Sequence, residues 1–115
     1  MAKEQLEAGR AVDAPGDDSL RCVVCEQRIT ERGYRSEMAG AHEHVFVNPA
    51  GYSFVVGCFV AAAGCVHVGT PSAEFAWFPG WTWQVAICRG CRAHVGWMFR
   101  CGSEQFHGLI ATALH

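Results

Sequence analysis

The sequence has little charge and no concentration of either sign. Charged side chains make up 17% of its 115 residues, the net charge is −2, and every positive residue after Lys3 is an arginine. Non-specific nucleic-acid binding draws most of its affinity from basic patches, so this balance argues against a nucleic-acid partner. No apolar run approaches the length that crosses a bilayer. Residues 1–19, MAKEQLEAGRAVDAPGDDS, also lack the apolar segment of a secretory signal. A cytoplasmic chain without a membrane partner is expected. An even set of cysteines is missing too. There are seven, and in a reducing compartment they point to metal or free thiols rather than a disulfide framework.

What is present is apolar. Half of the residues are hydrophobic, enough for one domain with a modest core. Residues 1–19 are polar, small or charged, and Asp13-Ala14-Pro15-Gly16 stops any helix begun in EQLEAGRAV. They read as a flexible leader, with the folded domain at 20–115. The rest is mainly β. HVFVN and YSFVVGCFVA are rich in valine and aromatics, with a turn at Asn48-Pro49-Ala50-Gly51 between them. CVHVG reads as a further strand closed by the loop GTPSAEF, and TWQVAI and VGWMF as the arms of a hairpin. The tail EQFHGLIATAL fits either a strand or a short helix.

Cys22-Val23-Val24-Cys25 and Cys88-Arg89-Gly90-Cys91 are two C-x-x-C pairs, 62 residues apart. Each pair places two thiolates on one ion from a tight turn, and two such turns complete a four-sulfur shell. Zinc is the expected metal, one ion, because it accepts that shell without redox demands; iron is the alternative. A closed shell leaves no position for substrate, so its role is structural. One pair alone would also suit a redox dithiol. Cys58 and Cys65 sit in apolar strands and read as buried small hydrophobes. His42-Glu43-His44 offers two imidazoles without a further ligand, which reads as surface or satisfied histidines.

EFAWFPGWTWQVAIC, residues 74–88, crowds three of the four tryptophans. Trp77 and Trp83 bracket a turn, and Trp97 follows the second cysteine pair on the returning arm. Trp81 follows Pro79-Gly80 and is expected on the outer side of that turn. Large aromatics are commonly core, yet a small domain has little room for three central indoles, each with an N–H to satisfy. Concave aromatic walls are also what small-ligand sites look like. Core and pocket both remain open on these residues.

NPAGY, GTPSAEFAWFPGWTWQVAIC, GCRAHVGWMF and the ending FHGLIATAL, in unbroken order with both C-x-x-C pairs, resemble the thalidomide-binding (CULT) domain of the cereblon family, in its stand-alone, bacterial type. The resemblance covers residues 20–114. It implies a β-tent: two antiparallel sheets pinned by a four-cysteine zinc through Cys22, Cys25, Cys88 and Cys91. It further implies a cage walled by Trp77, Trp83 and Trp97 and closed at its base by Phe99, with Asn48, Pro49 and Phe54 opposite. The implied ligand is a cyclic imide: glutarimide, a uracil-like ring, or a peptide ending in a cyclic imide. Its acceptor–donor–acceptor edge would meet the main chain of Phe75 and Trp77 across Ala76, helped by the Trp83 indole N–H. Many members of the family carry histidine where Phe75 stands and serine where Ala76 stands, so specificity among imides is open to tuning here.

That resemblance implies a monomeric binding domain and no enzyme. Two rival readings use the same residues. A three-walled aromatic cage also suits a methylated ammonium, with Glu74 beside it. B-type methionine sulfoxide reductases are similar in their paired zinc cysteines and late catalytic cysteine, which directs attention to Cys101. Those enzymes place arginine two before that cysteine and asparagine two after, whereas here Arg100 is adjacent and Ser103 stands in the asparagine position.

Overall fold

The computed structural model describes residues 17–115. Most of the expected leader therefore lies outside the described residues. The first strand, β1 (Ser19–Arg21), pairs with β2 (Arg28–Glu31) in a two-stranded antiparallel sheet. Six further strands follow: β3 (Glu43–Val47), β4 (Ser53–Phe59), β5 (Cys65–Ser72), β6 (Thr82–Cys88), β7 (His94–Cys101) and β8 (Glu104–Ile110). They form one antiparallel sheet in the order β3-β4-β8-β7-β6-β5. The fold is thus mainly β with two antiparallel sheets, as expected. No helix among the described residues is long and apolar enough to cross a membrane.

Local chemistry sets the hairpins. At the β3–β4 turn Asn48 works twice: its carbonyl accepts from Gly51 and its side-chain oxygen from Tyr52, each at 2.9 Å. Such side-chain mimicry of a turn is what asparagine supplies. β5 runs past CVHVG to Ser72, through a register irregularity between Val68 and Ser72, so part of the expected loop pairs with β6 instead. The tail resolves into both alternatives in turn, β8 and then a 3-10 turn at Ala111–Ala113.

The large sheet buries a cluster on each face. On one face Ala86, Cys65 and Leu109 pack with Cys22 and Ile29 of the small sheet. On the other, Val56, Cys58, Trp97, Phe99 and Phe106 pack with Phe78 from the β5–β6 connection. Cys58 and Cys65 are both buried, and burial holds each thiol at about 11. They are inert core residues, as their apolar surroundings suggested.

The small sheet approaches the large one closely at Gly64, whose N–H donates to the Ile29 carbonyl at 3.0 Å. A Cβ on Gly64 would lie 1.8 Å from the Arg28 carbonyl oxygen. Gly64→Ala must push the two backbones apart, and we expect a loss of about 3 kcal/mol. A thermal melt tests it; a midpoint equal to that of the wild type would contradict this packing.

Candidate functional site: a four-sulfur centre and an aromatic cavity

The two cysteine pairs sit in matching turns. After Cys22, the N–H of Glu26 donates back to the Cys22 carbonyl at 2.9 Å; after Cys88, Arg92 does the same to Cys88 at 2.9 Å. Glu26 and Arg92 have φ of 70° and 69°, the left-handed bend that closes each loop. One turn belongs to the small sheet and the other joins β6 to β7. Their four Sγ atoms all lie within 4.8 Å of one another. The Cys22–Cys91 and Cys25–Cys88 separations are 3.7 and 3.5 Å. A disulfide requires about 2.05 Å, so these are free sulfurs. A tetrahedral shell with metal–sulfur bonds of about 2.3 Å has edges near 3.8 Å, so the cluster is compatible with zinc. Burial pushes the Cys88 thiol up, but the amides of Cys91 and Gly90, together with the neighbouring Cys25 and Cys22 thiols, outweigh it and bring that thiol to about 7. That favours the thiolate a metal needs. This four-cysteine group could hold a metal ion, and it is the one cluster of its kind among the described residues.

The aromatic cavity opens on the face opposite the small sheet. It encloses about 340 Å³ and is lined by Asn48, Pro49, Phe54, Phe75, Trp77, Trp83, Val85, His94, Trp97 and Phe99. Eight of the nine residues expected from the sequence thus meet here, and Ala76 is not in the lining. Trp77 and Trp97 meet nearly at right angles, ring centres 4.6 Å apart, and Phe54 lies edge-on to Trp97 at 5.2 Å. Phe46 stacks flat behind Trp77 at 4.5 Å. Phe99 is 1% exposed and rests over Gly108, where a Cβ would come within 2.8 Å of its ring.

Two of the three indole donors are already engaged. Trp77 Nε1–H donates to the Val47 carbonyl at 3.3 Å and Trp83 Nε1–H to the Glu74 carbonyl at 2.7 Å. The Trp83 donor expected to assist a ligand is therefore committed to the protein, where it fixes the ring as a wall. Phe75 is 71% exposed at the cavity with φ of 54°. That left-handed backbone costs a non-glycine residue about 1 kcal/mol, and such strain collects at functional sites. Trp81 does not lie outside the turn. Its ring packs edge-on to Phe106 at 5.2 Å, on the same cluster that Trp83 joins two residues later.

Val85 and His94 line the cavity without having been expected there. Val85 could have been found, since it stands two residues after Trp83 on the same strand face. His94 could not be found by alternation. β7 bulges opposite Ala86 and Ile87, pairing them with Gly96 and His94; the extra residue returns His94 to the side of Trp97. His94 donates Nε2–H to the Gly96 carbonyl at 3.0 Å and stands edge-on to Trp97 at 4.7 Å. Burial lowers its pKa, which favours a neutral ring. His42 and His44 are satisfied by the carbonyls of Ser36 and Ala41 at 3.0 and 3.1 Å, as expected. Cys101 is exposed and lies outside the cavity lining.

No family model matches the chain. Individual proteins do. Over 105 residues it is 36% identical to protein cereblon of Danio rerio, covering 84% of this chain and 24% of that protein. It is 38% identical over 104 residues to protein cereblon of Gallus gallus, covering 84% and 23%. The chain carries a cereblon-family domain. Protein cereblon of Xenopus tropicalis is 39% identical over 74 residues, or 60% of this chain and 17% of that one. The chain spans about a quarter or less of the length of these cereblon relatives. The four-sulfur centre and the aromatic cavity are thus features of a domain within the cereblon pattern.

Proposed function

We propose that this domain binds a neutral cyclic imide, such as a glutarimide, a uracil-like ring or a peptide ending in a cyclic imide, and catalyses no reaction on it. The observation that carries this reading is the cavity lining: aromatic walls, with no Asp, Glu, Lys or Arg among the lining residues. A flat ring with an apolar methylene side fits between indole faces. Its acceptor–donor–acceptor edge calls for a backbone edge rather than a charge. The strained Phe75 backbone supports placing that edge along Phe75–Trp77, with Asn48 and Pro49 opposite. A methylated ammonium suits the cage less well, because the Glu74 carboxylate, which would be its counter-charge, is outside the lining. An enzyme built on Cys101 would have its thiol away from the cavity.

Zinc at Cys22, Cys25, Cys88 and Cys91 would supply fixed geometry and no chemistry. Those cysteines tie the small sheet to the β6–β7 hairpin, and β6 and β7 carry Trp83 and Trp97. The proposed form is a cytoplasmic monomer.

A glutarimide has about eight heavy atoms, and at ~0.7 kcal/mol per atom its binding is worth ~6 kcal/mol, or tens of micromolar. We expect glutarimide, uracil and a peptide with a C-terminal cyclic imide to quench indole emission in that range, and a trimethylammonium ligand to leave it unchanged. Unchanged emission with all three imides, together with no heat on calorimetry, would defeat the imide reading. Quenching by the ammonium alone would replace it.

A further inference from the structure

Two histidines form a clasp across the back of the sheet that bears the cavity. His67 on β5 and His107 on β8 bring their Nε2 atoms to 2.9 Å. Their ring centres are 5.1 Å apart, so the rings meet end to end, with both nitrogens close to the line between centres. The clasp bridges β6 and β7 where those strands carry Ala86 and Gly96, the register partners that leave room for it.

The surroundings fix where the protons sit. His107 is 4% exposed and its Nδ1 has no hydrogen-bond partner among the described residues. A proton there would be a buried donor without an acceptor, which costs more than a bare lone pair. His107 therefore carries its proton on Nε2 and donates it to His67 Nε2. His67 is exposed and turns its own Nδ1–H to water. A third proton has no good place. On His67 Nε2 it would set two N–H groups against each other, and on His107 Nδ1 it would be buried and unpaired.

Other groups on this face do not help a proton in. Gln84 on β6, Met98 and Arg100 on β7, and Gln105 on β8 share it by register. Glu43 on β3 and Arg35, the bridge partner of Phe59 on β4, lie farther along the same face with His42; Arg100 is the charged group whose positive field lowers the pKa of His67 after burial has done so. From β5 comes Cys65, held as a neutral thiol, and from the small sheet Ile29 and Cys22. Burial first, then His67, hold His107 at about 4. A folded-state pKa depressed below the ordinary value near 6.5 means the neutral clasp stabilises fully above that value, and its contribution is lost as pH falls toward 4.

His107 stands between two residues that back the cavity. Phe106 and Gly108 are the register partners of Phe99 and Trp97, and Gly108 is in close contact with the Phe99 ring. β8 cannot shift at His107 without moving both walls. We propose that the His67–His107 clasp positions the base of the aromatic cavity and lets go on protonation, so that the domain releases its ligand on acidification. This rests on the imide reading of the cavity.

His94 also titrates in the cavity wall, so the test compares variants. His107→Gln keeps a donor near the Nε2 position and cannot take up a proton; His67→Gln keeps an exposed acceptor. With uracil and glutarimide as probes, wild-type affinity should fall roughly twofold by about pH 4 and further below it, while His107→Gln holds its neutral value and His67→Gln, which keeps the buried His107, responds less steeply than the wild type. Imidazole ¹⁵N NMR of the full chain should show His107 Nδ1 unprotonated at neutral pH. Variants that follow the wild-type pH profile, or a protonated His107 Nδ1, would overturn the clasp. Should His107→Gln not fold, a His67→Gln protein that follows the wild-type profile overturns the clasp, and one with a shallower profile supports it. If neither probe binds at neutral pH the imide reading falls, and indole emission of the free protein then tests the clasp. An acid-induced red shift in the wild type that the variants lack supports it, and identical curves overturn it.

Discussion

Cys88→Ser should yield a chain that neither folds at neutral pH nor retains zinc. The four sulfurs are held by two turns of the same design, one on each sheet, and already stand at distances that suit tetrahedral coordination. A metal that binds only the assembled site adds its binding free energy to folding, on the order of 10 kcal/mol in small zinc domains. That is comparable with the whole stability of an ordinary domain, about 5–15 kcal/mol. Serine cannot supply the thiolate, and at Cys88 it would stand fully buried. Cys101→Ser is the control, since Cys101 is exposed and outside the cluster; it should keep both fold and metal. Circular dichroism with metal analysis reads the comparison. A well-folded, metal-free Cys88→Ser protein would remove the structural role assigned to the centre.

The second large effect is expected at Trp97. Its ring is 8% exposed and joins both core and cavity, touching Trp77, Phe54 and His94 edge-on. Trp97→Ala should cost about 3–5 kcal/mol through the cavity it leaves, and should abolish imide binding. Trp83→Ala offers a cleaner separation. Trp83 is only half-buried and its donor bonds to one loop carbonyl, so binding should disappear while most stability remains. Melting curves and calorimetry on both variants distinguish the roles. Wild-type imide affinity in a folded Trp97→Ala protein would mean that the cage is core and not site.

Much of this was legible in the residues for identifiable reasons. Cysteine pairs with turn residues declare a shared centre at any separation, because the chemistry of four thiolates admits few alternatives. The β3–β4 hairpin was plain in its valines and in Asn48. Alternation failed wherever the pairing slips. The β7 bulge hid His94, and the irregularity in β5 made a strand look like a loop; Trp81 was misplaced because it was read from Pro79-Gly80 before it and not from the spacing it shares with Trp83. The engagement of the Trp83 indole N–H with Glu74 was also out of reach, because it depends on how the 74–83 segment closes on itself. The His67–His107 pair was hidden for another reason. Nothing within either strand marks a partner 40 residues away across two intervening strands.

The matching cysteine turns also determine how the domain meets whatever chain adjoins it. Beside the first of them, Arg21 and His115 exchange two backbone hydrogen bonds of 2.8 and 2.9 Å, and Cys22 bridges Leu114. Arg21 and His115 therefore lie together next to the sulfurs, across the molecule from the aromatic cavity. Tension on the two ends would pull Arg21 from His115 as a zip is opened, meeting two hydrogen bonds and then the four-cysteine centre. In mechanical terms the cavity lies off the line of any force applied between Arg21 and His115.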